Sequence, residues 1–131
     1  MSQVVDFLNE AKTYYLATVD EDGQARVRPF GATVEFNGHV YFGTNNKKKV
    51  FAQLVKNPKV EISGMAKGKW IRLSGKAVVD ESIEAKAALL EATPGLKNMY
   101  NLEDKIFEVF YLDDMKATVY SFTGEPEELV D

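Results

Sequence analysis

Two short runs hold most of the residues able to do chemistry. Arg26-Val27-Arg28-Pro29-Phe30 is the first, and Gly43-Thr44-Asn45-Asn46-Lys47-Lys48-Lys49 is the second. Residues two apart on a strand share a face, so Arg26 and Arg28 leave their strand on the same side. Between the runs, Asn37-Gly38 is a strong two-residue hairpin signal. That hairpin returns Gly43 and Thr44 toward the arginine end. A helix is predicted to start there, with Lys47, Lys48 and Lys49 in its first turn. Cations at a helix N-terminus cost a few tenths to about 1 kcal/mol each. Two readings answer that cost. In one, an anion such as a phosphate is held by free backbone N–H groups, the Thr44 hydroxyl, the lysines and the arginine forks. In the other, the lysines form a solvated basic face turned away from the helix end.

Trp70, the single tryptophan, opens the run Trp70-Ile71-Arg72-Leu73-Ser74-Gly75. Its indole is able to cover a planar ligand, and serves equally well as a core or interface aromatic. The single histidine, His39, directly follows the hairpin turn and reads as solvent-exposed. One imidazole and no cysteine exclude disulfides, thiolate sites, cysteine nucleophiles and any metal site needing two imidazoles from one chain. Asp113-Asp114 and Glu127-Glu128 read as solvated turn and tail residues. No nucleophile elbow, phosphate-binding glycine loop or Gly-x-Gly-x-x-Gly is present. If the protein is an enzyme, a cofactor must carry the reaction.

The elements that must position these residues come from a chain of 131 residues, one domain's worth. Sixteen Lys and Arg against twenty Asp and Glu give a net charge of -4, which argues against a nucleic-acid partner. No apolar run approaches the roughly 18 residues of a membrane span, so no membrane partner and a cytoplasmic location are expected. Ser2 is placed to cap a first helix carrying Val4, Val5, Leu8 and Ala11. Alternation then predicts strands over Thr13–Val19, Gln24–Phe36 (interrupted at Pro29 and Gly31) and His39–Thr44, read as a three-stranded antiparallel meander. A helix over Lys47–Lys56 follows, capped by Asn45 or Asn46, with Val50, Phe51, Leu54 and Val55 as its buried stripe.

Strands over Lys59–Met65 and Lys69–Val79 come next, then a helix over Ser82–Ala92 capped by Asp80. A short helical turn within Leu96–Leu102 and two strands, Ile106–Leu112 and Lys116–Phe122 joined at Asp113-Asp114, complete the pattern. The first of those strands is apolar on both faces, as a central or interface strand is. The tail Glu125–Asp131 reads as loosely held. About seven strands and three helices predict a mainly β domain with flanking helices, an antiparallel barrel closed or nearly so. Its interior is filled, so a ligand would sit outside it or between subunits.

At these residues the chain resembles the FMN-binding split-barrel family related to pyridoxamine 5'-phosphate oxidase. The resemblance runs from about Val4 to Phe122. It is carried by Gly23 to Phe30, Val40-Tyr41-Phe42-Gly43-Thr44, the lysine-rich helix start, Leu54 to Val60 and Trp70 to Gly75, and is nearest to short nitroimidazole-resistance-like members. It implies an antiparallel split barrel that forms a homodimer with FMN at the interface. It also implies a flavin site drawn from Arg26, Val27, Arg28, Pro29, Phe30, Gly43, Thr44, Lys48, Lys49 and Trp70. The function it implies is that of a small flavin-dependent oxidoreductase with a small-molecule redox substrate. The alternative is a flavin carrier, sensor or electron-transfer module without a substrate of its own.

Several residues depart from the family pattern. The oxidase proper is longer and has a basic C-terminal segment, whereas this sequence reads Glu125-Pro126-Glu127-Glu128 there. Pyridoxamine phosphate oxidation is therefore not expected. The resistance proteins end their third strand on a functional histidine, where this chain has Gly43-Thr44. Val50 stands where the oxidase has a second basic residue. Other branches of the family hold a deazaflavin or haem.

Overall fold

The computed structural model describes residues 2–129. Among the described residues eight strands and three α-helices are formed, with strand order β2-β1-β5-β6-β7-β4-β3 and β8 added on β7. The strands are β1 (Tyr14–Val19), β2 (Ala25–Phe30), β3 (Thr33–Phe36), β4 (His39–Asn45), β5 (Lys59–Ala66), β6 (Lys69–Asp80), β7 (Phe107–Ser121) and β8 (Glu127–Leu129). The helices are α1 (Gln3–Ala11), α2 (Lys49–Lys56) and α3 (Ile83–Ala92), followed by a short 3-10 helix at Pro94–Asn98. All the strand pairings are antiparallel.

The strand order explains why the barrel is split. β2 and β3 lie at the two ends of the sheet, yet only Gly31 and Ala32 separate them in sequence. Three peptide links reach at most about 11 Å. The sheet must curl until its edges meet at that corner, and β2 and β3 do not pair with each other. This corrects the expected three-stranded meander. The chain makes two hairpins, β1–β2 and β3–β4, which sit at opposite ends of the sheet. Asn37 and Gly38 do form the predicted turn, both at positive φ (55° and 79°), as a type I′ hairpin requires.

Two packed layers hold the barrel. Inside it, Leu16, Phe42, Ile62, Ile71, Leu73 and Phe110 form a core capped by Val4 and Leu8 of α1 and by Val50 and Leu54 of α2. Outside it, Ala85, Leu89 and Leu90 of α3 cover Tyr41, Phe107 and Val109. The front half of β7 is therefore buried on both faces as a central strand between β4 and β6. The two strands expected at the end of the chain are one continuous strand of 15 residues. Asp114 takes positive φ within it, and the β6 register shifts between Ser74 and Lys76. That bulge absorbs what reads in the sequence as a turn. Within the acidic tail, Glu127–Leu129 pair with Ala117–Val119; Val130 and Asp131 lie outside the described residues.

Two caps also differ from expectation. Ser82, not Asp80, is the N-cap of α3, accepting from the Ala85 N–H at 3.2 Å. Asp80 ends β6, accepting from the Tyr41 hydroxyl at 2.6 Å and from the Ser82 N–H. The Tyr41 hydrogen bond holds the Asp80 carboxyl below its ordinary range. The short helix after α3 is Pro94–Asn98 rather than a turn within Leu96–Leu102.

Tyr14 lies inside the barrel with its hydroxyl buried and without a hydrogen-bond partner among the described residues. Burial pushes its ionisation well above the ordinary phenol range. An unsatisfied buried hydroxyl is a net cost, so Tyr14→Phe is expected to raise stability by about 1 kcal/mol. Denaturant unfolding should show a higher midpoint at unchanged slope. A lower midpoint would mean that water or another group satisfies the hydroxyl.

Candidate functional site

The first helical residue of α2 is Lys49, not Lys47, because its N-cap is Lys48 with an extended backbone. No side chain caps the helix, and its first turn has no acidic residue. The two asparagines expected to cap it are used elsewhere. Asn45 accepts from the Lys47 N–H at 3.0 Å and donates to the Tyr100 hydroxyl at 2.6 Å. Asn46 donates to the Lys105 carbonyl and the Glu108 carboxylate, both at 2.9 Å. Only Lys49 of the three lysines is therefore within the helix. None of the three makes an ion pair among the described residues.

The helix start divides the candidates between two cavities. Lys49 lines a cleft of about 650 Å³ between α2 and the β1–β2 turn, together with Asp20, Glu21, Asp22, Gln53 and Lys56. Lys48 lines a cavity of about 370 Å³ at the split. Pro29, Phe30, Gly43 and Thr44 line the same cavity, opposite Leu96, Met99, Tyr100 and Phe107. Five of the ten sequence candidates thus meet at the split, and the buried Thr44 hydroxyl has no partner among the described residues.

Arg26 and Arg28 reach the α2 cleft through its lining residues. Arg28 donates to Gln53 Oε1 and Thr18 Oγ1, both at 2.8 Å, and more weakly to the Leu16 and Arg26 carbonyls. The Thr18 hydroxyl donates to Gln53 Oε1 at 2.6 Å, which closes the network. All of Arg28's acceptors are neutral, so its charge lacks a carboxylate counter-ion. Burial, and then the charge of Arg26, push its pKa down. Arg26 instead donates from Nε to Asp20 Oδ2 at 2.7 Å. Hydrogen bonds with the Asp22 side chain and Arg26 hold the Asp20 carboxyl down to about 2.

Val27 points outward from β2 and is 68% exposed. Trp70 lies on the outer face of β6, away from the other candidates and lining neither cavity. It stacks on Tyr120 at 5.7 Å between centroids and touches Phe122, while the Arg72 guanidinium sits 4.9 Å from the Tyr120 ring centre. His39 stacks on Tyr111 at 4.0 Å, half-buried rather than free in solvent as expected.

The structure adds Thr18, Asp20 and Gln53 to the candidates. Gln53 was legible in part, since it lies four residues after Lys49 on one helix face. Gly43 owes its residue type to packing. A Cβ there would lie 2.5 Å from Leu89 Cδ2 and 3.2 Å from the Phe107 ring. Overpacking a filled site costs about 1–3 kcal/mol. Gly43→Ala is expected to lose that much stability by chemical denaturation, and an unchanged midpoint would mean that α3 yields freely.

Among the described residues no cluster of three or more His, Cys, Asp or Glu is placed to hold a metal ion, and no helix is long and apolar enough to cross a membrane.

Comparison with known proteins agrees with this architecture. Of the solved structures, a NimC/NimA family protein from Clostridium acetobutylicum is 48% identical, with a TM-score of 0.90 over 97% of this chain and 91% of that one. General Stress Protein 26 from Bacillus anthracis is 20% identical, with a TM-score of 0.73 over 96% and 95% of the two chains. A heme binding protein from Mycobacterium smegmatis is 18% identical, with a TM-score of 0.74 over 93% of this chain and 57% of that one. These last two show likeness of fold. A search of curated proteins finds no match. The family model described as pyridoxamine 5'-phosphate oxidase matches residues 1–113. The chain is thus a split-barrel member of the pyridoxamine 5'-phosphate oxidase family, close to its nitroimidazole-resistance-like branch.

Proposed function

We propose that the protein binds FMN and works as a small flavin-dependent oxidoreductase. The observation that carries this reading is the uncompensated charge around the start of α2. An uncapped helix end, three unpaired lysines and a guanidinium with only neutral partners form a site for a phosphate. Lys49 and Arg28 hold that phosphate, with Arg26 beside them. The neighbouring split cavity, lined by Phe30, Leu96, Met99 and Phe107 with Thr44, Lys48, Thr93 and Tyr100 as its polar side chains, takes the ring. FMN, when bound, supplies the electron-transfer chemistry that the side chains themselves lack.

A homodimer completes the site in this reading. β2 has a free edge, and the outer face it shares with β1, β5, β6 and β7 exposes large apolar groups. Val27 is 68% exposed, Met65 58%, Tyr15 50%, and Phe122 at the end of that face 81%. A second copy covers this face and brings its Trp70 toward the flavin. The single histidine, stacked on Tyr111 outside both cavities, is not placed to ligate a haem there.

Gel filtration with added FMN tests the reading. Flavin should co-elute with the protein at the size of a dimer. The loaded protein should then oxidise a reduced nicotinamide faster than free FMN at equal concentration. Parity with free FMN would favour a flavin carrier. Elution of FMN apart from the protein would contradict the proposal.

A further inference from the structure

The β1–β2 turn already neutralises part of the α2 cleft. Asp20 Oδ2 accepts from Arg26 Nε, while its other oxygen accepts from the Asp22 and Gln24 N–H groups at 3.2 and 3.1 Å. The carboxylate is therefore held by its own turn on the cation that belongs to the strand. The next residue, Glu21, pairs with Lys56 at the far end of α2. Asp20, Glu21 and Asp22 all line the cleft. Of the four cations on or bonded to its wall, Arg26 and Lys56 are thus engaged by the turn, and Arg28 and Lys49 are not.

We propose that Asp20 is an internal competitor for the anion site, and that it holds the cleft's affinity for a phosphate ester below what its cations would otherwise give. A ligand phosphate gains Arg26 only by displacing the Asp20 carboxylate. It also meets the turn's negative charge as it enters. A phosphate offsets that cost through Lys49, Arg28 and the freed Arg26 together, whereas a neutral ligand neither meets the cost nor gains the contacts. The inference rests on the phosphate-binding reading above and adds a residue that limits its affinity.

The test is a fluorescence titration of wild type and Asp20→Asn with FMN and with riboflavin, which lacks the phosphate. Asparagine keeps the oxygen that accepts from the Asp22 and Gln24 amides, so the turn is retained. Asp20→Asn should bind FMN about two- to fivefold more tightly and riboflavin unchanged, the size expected when a partly exposed charge contact is removed. Glu21→Gln, which frees Lys56, should move FMN binding in the same direction by less. FMN affinity that is unchanged or weaker in Asp20→Asn overturns the competitor role, as does an equal change for both ligands. A wild-type protein that binds FMN no better than riboflavin overturns the phosphate reading itself, and this inference with it.

Discussion

Replacing Lys49 by alanine should weaken FMN binding tenfold or more. Lys49 is the first residue of α2, has no ion pair among the described residues, and lines the cleft beside Gln53. Gln53 also accepts from Arg28. A phosphate held there accepts a charge-assisted hydrogen bond from the ammonium group. Such bonds contribute about 1.5–3 kcal/mol, and 1.4 kcal/mol is a factor of about ten in affinity. Riboflavin affinity should stay constant, because only the phosphate contact is lost. The alanine should also remove a cation from the positive end of the helix dipole, so the protein should not be destabilised. An unchanged FMN dissociation constant for the variant would remove Lys49 from the phosphate site.

The largest expected loss of stability is at Phe110. This side chain is fully buried and meets Phe42 at 5.7 Å and Phe30 edge-on at 6.2 Å between ring centroids. Phe30 ends β2 and lines the split cavity, so Phe110 supports both the barrel interior and the corner where its edges meet. Phe→Ala in a packed core costs about 3–5 kcal/mol, from lost transfer energy and a residual cavity. Phe110→Ala should lower the unfolding free energy by that amount. Flavin affinity should fall as well, since the Phe30 end of β2 loses its anchor. A loss below about 1 kcal/mol, small against the range for core truncations, would mean that the interior closes over the gap and the aromatic cluster is not what holds the corner.

The parts of the fold legible in the sequence are those set by local pattern. Val60, Ile62 and Gly64 alternate inward along β5 as period two requires. Ser2 caps α1 by accepting from the Val5 N–H at 3.0 Å. Val50 and Leu54 of the predicted stripe are buried and Phe51 partly so, whereas Val55 is exposed. Pairing between distant strands was not legible. Nothing near Gly31 says that the β3–β4 hairpin docks through β4 on β7 at the far end of the sheet, because that choice depends on burial summed over the whole barrel. The start of α2 departs from its local pattern for a different reason. Asparagine is a strong local cap, but Asn46 finds better partners in Lys105 and Glu108, some sixty residues later in the chain. The same long-range docking hid Asp20 and Gln53, whose roles appear only once α2 lies against β1. Trp70 reads in the sequence equally as ligand cover and as a core or interface aromatic, and only the long-range β6–β7 pairing sets it beside Tyr120 on the outer face.

The central claim is that this chain carries FMN, and the visible absorption spectrum of the purified protein tests it most directly. Any chromophore should then be released and identified. The account predicts a flavin double band, FMN in the released fraction, and uptake of added FMN by any protein isolated without it. A colourless protein that takes up no added FMN would contradict the account. The split barrel would stand, and the charge around Lys49 and Arg28 would belong to a different anion or to solvent alone.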